Sequence, residues 1–332
     1  MNKKNFFRTV LILCLSAICW MPMTAQDAVT RGDVNTDNDV NISDVVYLIN
    51  YVLGENKDTI DMVAADVNSD DQVNISDIIV LINYVLSGEW PYEPTIETFT
   101  VNGVSFNMVY VKGGTYMMGA TDEDPYAKDW EKPAHEVTLS DYYIGETEVT
   151  QALWKAVMNN NPSWFTSTNG YGTNLNRPVE RVSYNDCKSF INKLNQKTGK
   201  TFRMLTEAEW EYAARGGRLS KGYVYSGSDD LDEVCWYKGT AENMTHPVAS
   251  KLPNELGIYD MCGNVEEWCS DLYGLYSSEP QVNPTGATSG TCRVSRGGCW
   301  DHAFRACRIT YRYDALPAMK THHYGLRIAM SM

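Results

Sequence analysis

The oxygen-bearing side chains of this sequence fall into one pattern twice. Asp33, Asn35, Asp37, Asn41 and Asp44 stand at positions 1, 3, 5, 9 and 12 of a twelve-residue stretch. Asp66, Asn68, Asp70, Asn74 and Asp77 repeat the pattern 33 residues later. In a tightly wound loop these positions turn inward, and carboxylate and amide oxygens are hard donors that suit Ca²⁺ and not zinc. Position 7 contributes a backbone carbonyl in such loops, so Asp39 and Gln72 need not match. Position 6 usually requires glycine, and here Asn38 and Asp71 stand there, the types that best tolerate left-handed backbone. The pattern predicts one calcium ion per loop. The alternative is a pair of acidic helix-capping loops without metal.

Other chemistry is sparse. There is no Gly-x-Ser-x-Gly elbow, no His-Glu-x-x-His and no glycine-rich phosphate loop. The histidines at 135, 246, 302, 322 and 323 lack zinc-ligand spacing with the cysteines. Trp300, Tyr311 and Tyr313, with His322 and His323, either line a pocket or belong to a core. The carboxylates are unpaired by spacing, so no hydrolase dyad stands out. With 42 acidic against 28 basic residues the chain carries no domain-wide basic face for nucleic acid.

These residues need elements to position them. Lys3, Lys4 and Arg8 precede an apolar run over 10–23 and then Thr24-Ala25-Gln26, the layout of a secretory signal peptide cleaved after Ala25. The run falls short of the ~20 residues of a membrane span. Lipid attachment at Cys19 is disfavoured by Ile18, where a small residue is wanted. Export places the chain in the periplasm, at the cell surface or outside the cell. Beyond the signal, residues 26–95 hold fourteen acids and only two bases, Arg31 and Lys57, so most of the net charge of −14 belongs to the calcium loops. Two copies of a 33-residue unit are too few for a solenoid. A module of about 60 residues has a marginal core that a metal can staple. Helices are expected over 45–53 and 78–86. Proline-containing 90–96 reads as a linker. After it, 99–111 alternates as two strands around Asn102-Gly103, and helices are expected over 149–158, 184–196 and 207–214. Thr206 and Glu209 form a capping-box start for the last of these. From Gly216 onward turn residues dominate, so the backbone there must be pinned by side-chain hydrogen bonds, disulfides or metal.

The duplicated segment, with its loops ending in Asp and one helix per loop, resembles a type I dockerin. That resemblance implies a cohesin-bearing scaffold or surface protein as partner. It also assigns partner choice to loop positions 10 and 11, here Ile42-Ser43 and Ile75-Ser76. The two identical pairs imply docking in two orientations.

A second string of motifs runs through the rest of the chain: Met108 to Gly119, Glu146 to Gln151, Arg177 to Glu180, Thr206 to Gly217, Asn254 to Trp268, Arg293 to Gly298 and Gly325 to Arg327. It resembles the sulfatase-modifying-factor family, whose founder is the formylglycine-generating enzyme. The resemblance implies an α+β, C-type-lectin-like fold with much irregular structure, preceded by the small all-α dockerin. The expected boundaries are 1–25 signal, 26–89 dockerin, 90–96 linker and 97–332 large domain. It further implies a calcium site on Asn264 and Glu267. Family oxidases use a C-x₄-C pair that binds copper(I), whereas this chain offers Cys299 and Cys307 as C-x₇-C, with Cys299 where serine is usual. Seven cysteines follow the signal, and in an oxidising compartment a disulfide from Cys299 to Cys307 or another cysteine is expected, with at least one thiol left over. The expected function is calcium-dependent assembly within a polysaccharide-degrading system, the large domain binding a ligand such as a sulfatase or glycan without oxidising it. The alternatives are a formylglycine-generating oxidase, or a retroelement-diversified lectin-fold binder whose variable residues lie in 300–324.

Overall fold

The computed structural model describes residues 30–54, 60–68, 70–90 and 92–332. The expected signal segment, with Cys19 and Ala25, lies outside the described residues. The chain divides into two compact units, Met1–Pro91 and Tyr92–Met332.

In the smaller unit, helices α1 (Ile42–Val52) and α3 (Ile75–Ser87) flank the four-residue α2 (Met62–Ala65). Both long helices begin three residues ahead of the sequence expectation, inside the acidic loop. The cause is a capping box: Asn41 accepts from the Ser43 N–H while the Asp44 carboxylate accepts from the Asn41 N–H, and Asn74, Ser76 and Asp77 repeat it. Position 12 of each loop is therefore already in the first turn of a helix. Val34, Val45, Leu48, Ala65, Val67 and Leu81 form the core. Trp90, expected in the linker, instead stacks on Tyr84 at 4.1 Å and lies beneath the Arg31 guanidinium at 4.5 Å. Gly32, at φ +87°, admits that indole: a Cβ there would stand 2.6 Å from it. Tyr92 belongs to the larger unit, where its hydroxyl donates to the Tyr110 carbonyl.

The larger unit is α+β. Its first sheet runs in the order β1 (Ile96–Val101), β2 (Val104–Val111), β5 (Tyr142–Gly145), β12 (Ile328–Ser331), β6 (Phe202–Met204). A second holds β10 (Arg312–Ala315), β9 (Arg293–Arg296), β7 (Glu266–Leu272) and β11 (Tyr324–Gly325). A third holds β3 (Gly114–Met118), β4 (His135–Leu139) and β8 (Gln281–Val282). The β1–β2 hairpin turns on Asn102 and Gly103, both at positive φ, as the Asn-Gly pair predicts. Helices α4 (Gln151–Met158), α5 (Tyr184–Thr198) and α6 (Glu207–Ala214) fall where expected, and α6 carries the Thr206–Glu209 capping box. One short helix, α7 (Leu231–Val234), follows.

The irregular second half is fastened by arginines buried against carboxylates. Arg308 meets Glu131 at 2.8 Å, Arg312 meets Glu207 at 2.6 Å, Arg327 meets Glu267 at 2.7 Å, and Arg296 pairs with Glu211. Every group in these pairs is close to fully buried. Among the described residues no helix is long and apolar enough to cross a membrane.

Candidate functional site

The two acidic loops have matching internal geometry. In the first, the Asp37 and Asn38 N–H groups donate to the two carboxylate oxygens of Asp33, each at 3.0 Å, and the Asp37 N–H also reaches Asn35 Oδ1 at 2.9 Å. Asp44 accepts from the Asn35 N–H at 3.2 Å and the Asn41 N–H at 2.9 Å. In the second loop Asp66 accepts from Asp70 and Asp71 at 3.1 and 3.0 Å, and Asp77 accepts from Asn68 and Asn74 at 3.2 and 2.9 Å. Asn38 and Asp71 take positive φ, 72° and 62°. Asp44 and Asp77 are fully buried. Backbone N–H groups orient their oxygens but supply no full countercharge, which is what a divalent cation would bring. At positions 10 and 11, Ile42 and Ile75 are 62% and 66% exposed and the serines beside them are exposed as well.

A second constellation lies in the larger unit. Gly297 and Gly298, at φ +94° and +72°, turn the chain out of β9, and a Cβ on Gly298 would stand 2.6 Å from the Ala306 carbonyl. The turn sets down Cys299, whose carbonyl accepts from the His302 N–H at 2.9 Å. His323 immediately precedes β11. Its carbonyl accepts from the Glu266 N–H at 2.7 Å, so the β11–β7 pairing carries it to the same place. One donor atom each from Cys299, His302 and His323 then lie within 4.8 Å of one another. His302 Nδ1 faces Glu266 Oε1 at 3.4 Å, and His323 Nε2 faces Asp301 Oδ2 at 3.8 Å. Glu266 is buried and accepts from Ser295 Oγ at 2.5 Å; burial lifts its carboxyl to about 7, against the opposing effect of that hydrogen bond. Burial, with His323 nearby, lowers His302 to about 4, and burial also lowers His323. The His302 ring is thus neutral at pH 7. Burial raises the Cys299 thiol. Trp300 leans on His323 with ring centres 5.7 Å apart, and Tyr313 lies 6.2 Å from His302.

The dockerin type I domain family matches residues 31–86, and the sulfatase-modifying factor enzyme 1-like domain family matches residues 93–332. The chain belongs to the sulfatase-modifying factor family. It is 34% identical over 264 residues to the chaperone protein LppX of Paenibacillus barcinonensis, covering 64% of this chain and 85% of the relative. It is 30% identical over 284 residues to the formylglycine-generating enzyme of Streptomyces coelicolor, covering 67% and 88%. The solved structure of Treponema denticola variable protein 1 is similar at TM-score 0.66 and 32% identity, over 72% of this chain and all of that one. The sulfatase-modifying-factor domain is thus the α+β unit, and the dockerin is the helical one.

Within the sulfatase-modifying-factor domain, the residues expected to hold metal meet different surroundings. The Asn264 side-chain Oδ1 accepts from the His246 N–H at 2.9 Å, and Nδ2 donates to Glu148 Oε2 at 2.7 Å. Glu267 accepts from Trp210 Nε1 at 2.7 Å and from Arg327. Both side chains are held in hydrogen bonds within the protein, and a guanidinium stands beside Glu267, so in this structure they brace the loop. None of the seven described cysteines forms a disulfide. Cys299 sits with two imidazoles, whereas Cys307 lies in an apolar cluster with Leu231, Val234 and Cys262 and shares a hydrogen bond with Cys235. Cys299 and Cys307 thus stand in different surroundings, and neither forms the expected disulfide to the other or to another described cysteine. Sequence spacing with the cysteines does not single out His302 and His323 as a pair. The Cys299-x₂-His302 spacing was the available signal, while His323 is brought in only by strand pairing.

Proposed function

We propose that this protein is a calcium-dependent assembly component: its dockerin docks onto a cohesin-bearing partner, and its sulfatase-modifying-factor domain holds a ligand or partner without oxidising it. The single observation that carries this reading is the match of the two acidic loops, in ligand residue type and in hydrogen-bond pattern, each carrying an exposed Ile-Ser pair at positions 10 and 11. Asp33, Asn35, Asp37, Asn41 and Asp44 would hold one calcium ion, and Asp66, Asn68, Asp70, Asn74 and Asp77 the other. Ca²⁺ fixes the loops, and the loops present Ile42-Ser43 and Ile75-Ser76 to the partner from either half. A dockerin behind a signal peptide suits export, and a sulfatase or glycan ligand would suit a polysaccharide-degrading system. The test is binding of the full chain to a panel of immobilised cohesins with calcium and with a chelator. Ile42→Asp or Ile75→Asp alone is expected to leave binding in place, and the double variant to lose about 100-fold, as for removal of a central apolar anchor. Binding that survives chelation, or the double variant, refutes the reading.

A second reading is favoured by the likeness to Treponema denticola variable protein 1: that residues 300–324 are a diversified ligand surface. It predicts a near-copy template repeat beside the gene, and its absence from the locus removes the idea. The oxidase reading draws on the relatives named formylglycine-generating enzyme. Turnover of a Cys-x-Pro-x-Arg peptide with copper and oxygen, lost in Cys299→Ser or Cys307→Ser, would establish it and sink the purely binding role.

A further inference from the structure

We propose that Cys299, His302 and His323 form a binding site for zinc, separate from the calcium loops and built from a donor set unlike the two-thiolate pair of the family's oxidases. One sulfur and two ring nitrogens are borderline-soft donors, matched to Zn²⁺ and mismatched to Ca²⁺. The three donor atoms lie within 4.8 Å of one another. A tetrahedral ion with bonds of about 2.0–2.3 Å holds its donors about 3.5 Å apart, so side-chain rotations of about 1 Å close the site. The backbone is already in place. Cys299 and His302 share one turn, closed by the His302 N–H on the Cys299 carbonyl, and His323 is anchored through the Glu266 N–H. His302 Nδ1 is buried and has no hydrogen-bond partner among the described residues. That nitrogen is costly to bury unpaired, and an ion on Nε2 would fix the tautomer in which it carries the N–H that Glu266 can accept. Each histidine also turns one ring nitrogen toward a carboxylate, His302 to Glu266 at 3.4 Å and His323 to Asp301 at 3.8 Å. A metal on the other nitrogen makes that facing group an N–H aimed at a carboxylate, the support that metal-bound histidines ordinarily receive. Three protein donors leave a fourth position, and both histidines are partly exposed, so the ion can enter and a small oxygen or nitrogen ligand can reach it.

The test uses the full chain, stripped of metals and returned to saturating calcium so that the dockerin loops are not competing sites. Titration with zinc followed by calorimetry is expected to show one ion per chain. Cobalt(II) in its place is expected to give a thiolate-to-metal charge-transfer band. Cys299→Ser removes the band, His302→Gln and His323→Gln each weaken zinc by at least about tenfold, and Cys292→Ser leaves both readouts unchanged. Should Cys299→Ser fail to fold, the two histidine variants, whose side chains are partly exposed, carry the test. Zinc binding that is unchanged in the His302→Gln, His323→Gln double variant overturns the proposal. So does uptake of copper(I) without uptake of zinc, or no zinc binding by the unaltered chain.

Discussion

At the scale of single residues, burial sets the protonation of several carboxyls in the larger unit. Glu180 is fully buried; one oxygen accepts the N–H groups of Trp164 and Phe165, and the other has no hydrogen-bond partner among the described residues. Burial raises its carboxyl from 4.5 to about 7, against the opposing effect of those two N–H bonds. Asp271, also raised to about 7, and Asp260, raised to about 6, share the cause. A raised folded-state value means that the native chain holds a proton which the unfolded chain releases. The resulting stability is fully present below pH 4.5 and is lost as pH rises through 7. Glu180→Gln is therefore expected to flatten the fall in stability between pH 4.5 and pH 8, by on the order of 3 kcal/mol. Urea midpoints of both proteins across that range provide the check, and parallel pH profiles would refute the assignment. Some of the site was legible at this scale. Asp33 to Asp44 and Asp66 to Asp77 announce themselves because their ligand spacing is local. His302 and His323 do not, because 21 residues and a strand pairing separate them.

At the scale of elements, one guanidinium joins three strands' worth of structure. Arg327, between β11 and β12, binds Glu267 on β7, the Gly145 carbonyl at the end of β5 at 2.9 Å, and the Tyr259 carbonyl at 2.7 Å. Replacing it with methionine keeps the volume but strands a buried carboxylate, which costs about 3–5 kcal/mol. A lower denaturant midpoint with an unchanged slope is the expected result; a shift under about 1 kcal/mol would mean that Glu267 finds another partner. The elements with local signals were readable from sequence: Asn102-Gly103 for the hairpin, Thr206 and Glu209 for α6. The helix starts at Ile42 and Ile75 were misplaced because Asp44 and Asp77 serve the loop and the cap together. The ties that hold 216–332 were unreadable for another reason. Glu131 to Arg308 and Glu211 to Arg296 span 177 and 85 residues, and no spacing rule links them.

At the scale of the whole molecule, the two units have different sources of stability. The dockerin has a small apolar core and two loops whose buried carboxylates would be neutralised by calcium. The sulfatase-modifying-factor domain has three apolar clusters and its buried ion pairs. Chelation is expected to abolish the thermal transition of the dockerin and leave that of the larger domain in place. Each tenfold rise in free calcium above Kd should stabilise the dockerin by about 1.4 kcal/mol per site. Scanning calorimetry at graded calcium tests this, and a single transition that ignores calcium would refute it. The unlinked state of the seven described thiols has its own consequence. A domain closed by guanidinium–carboxylate contacts is expected to reach its native state without any oxidation step. The expected outcome is that a fully reduced, denatured chain regains the native domain as readily under argon as in air, with no thiol oxidant and no shuffling of mispaired bridges.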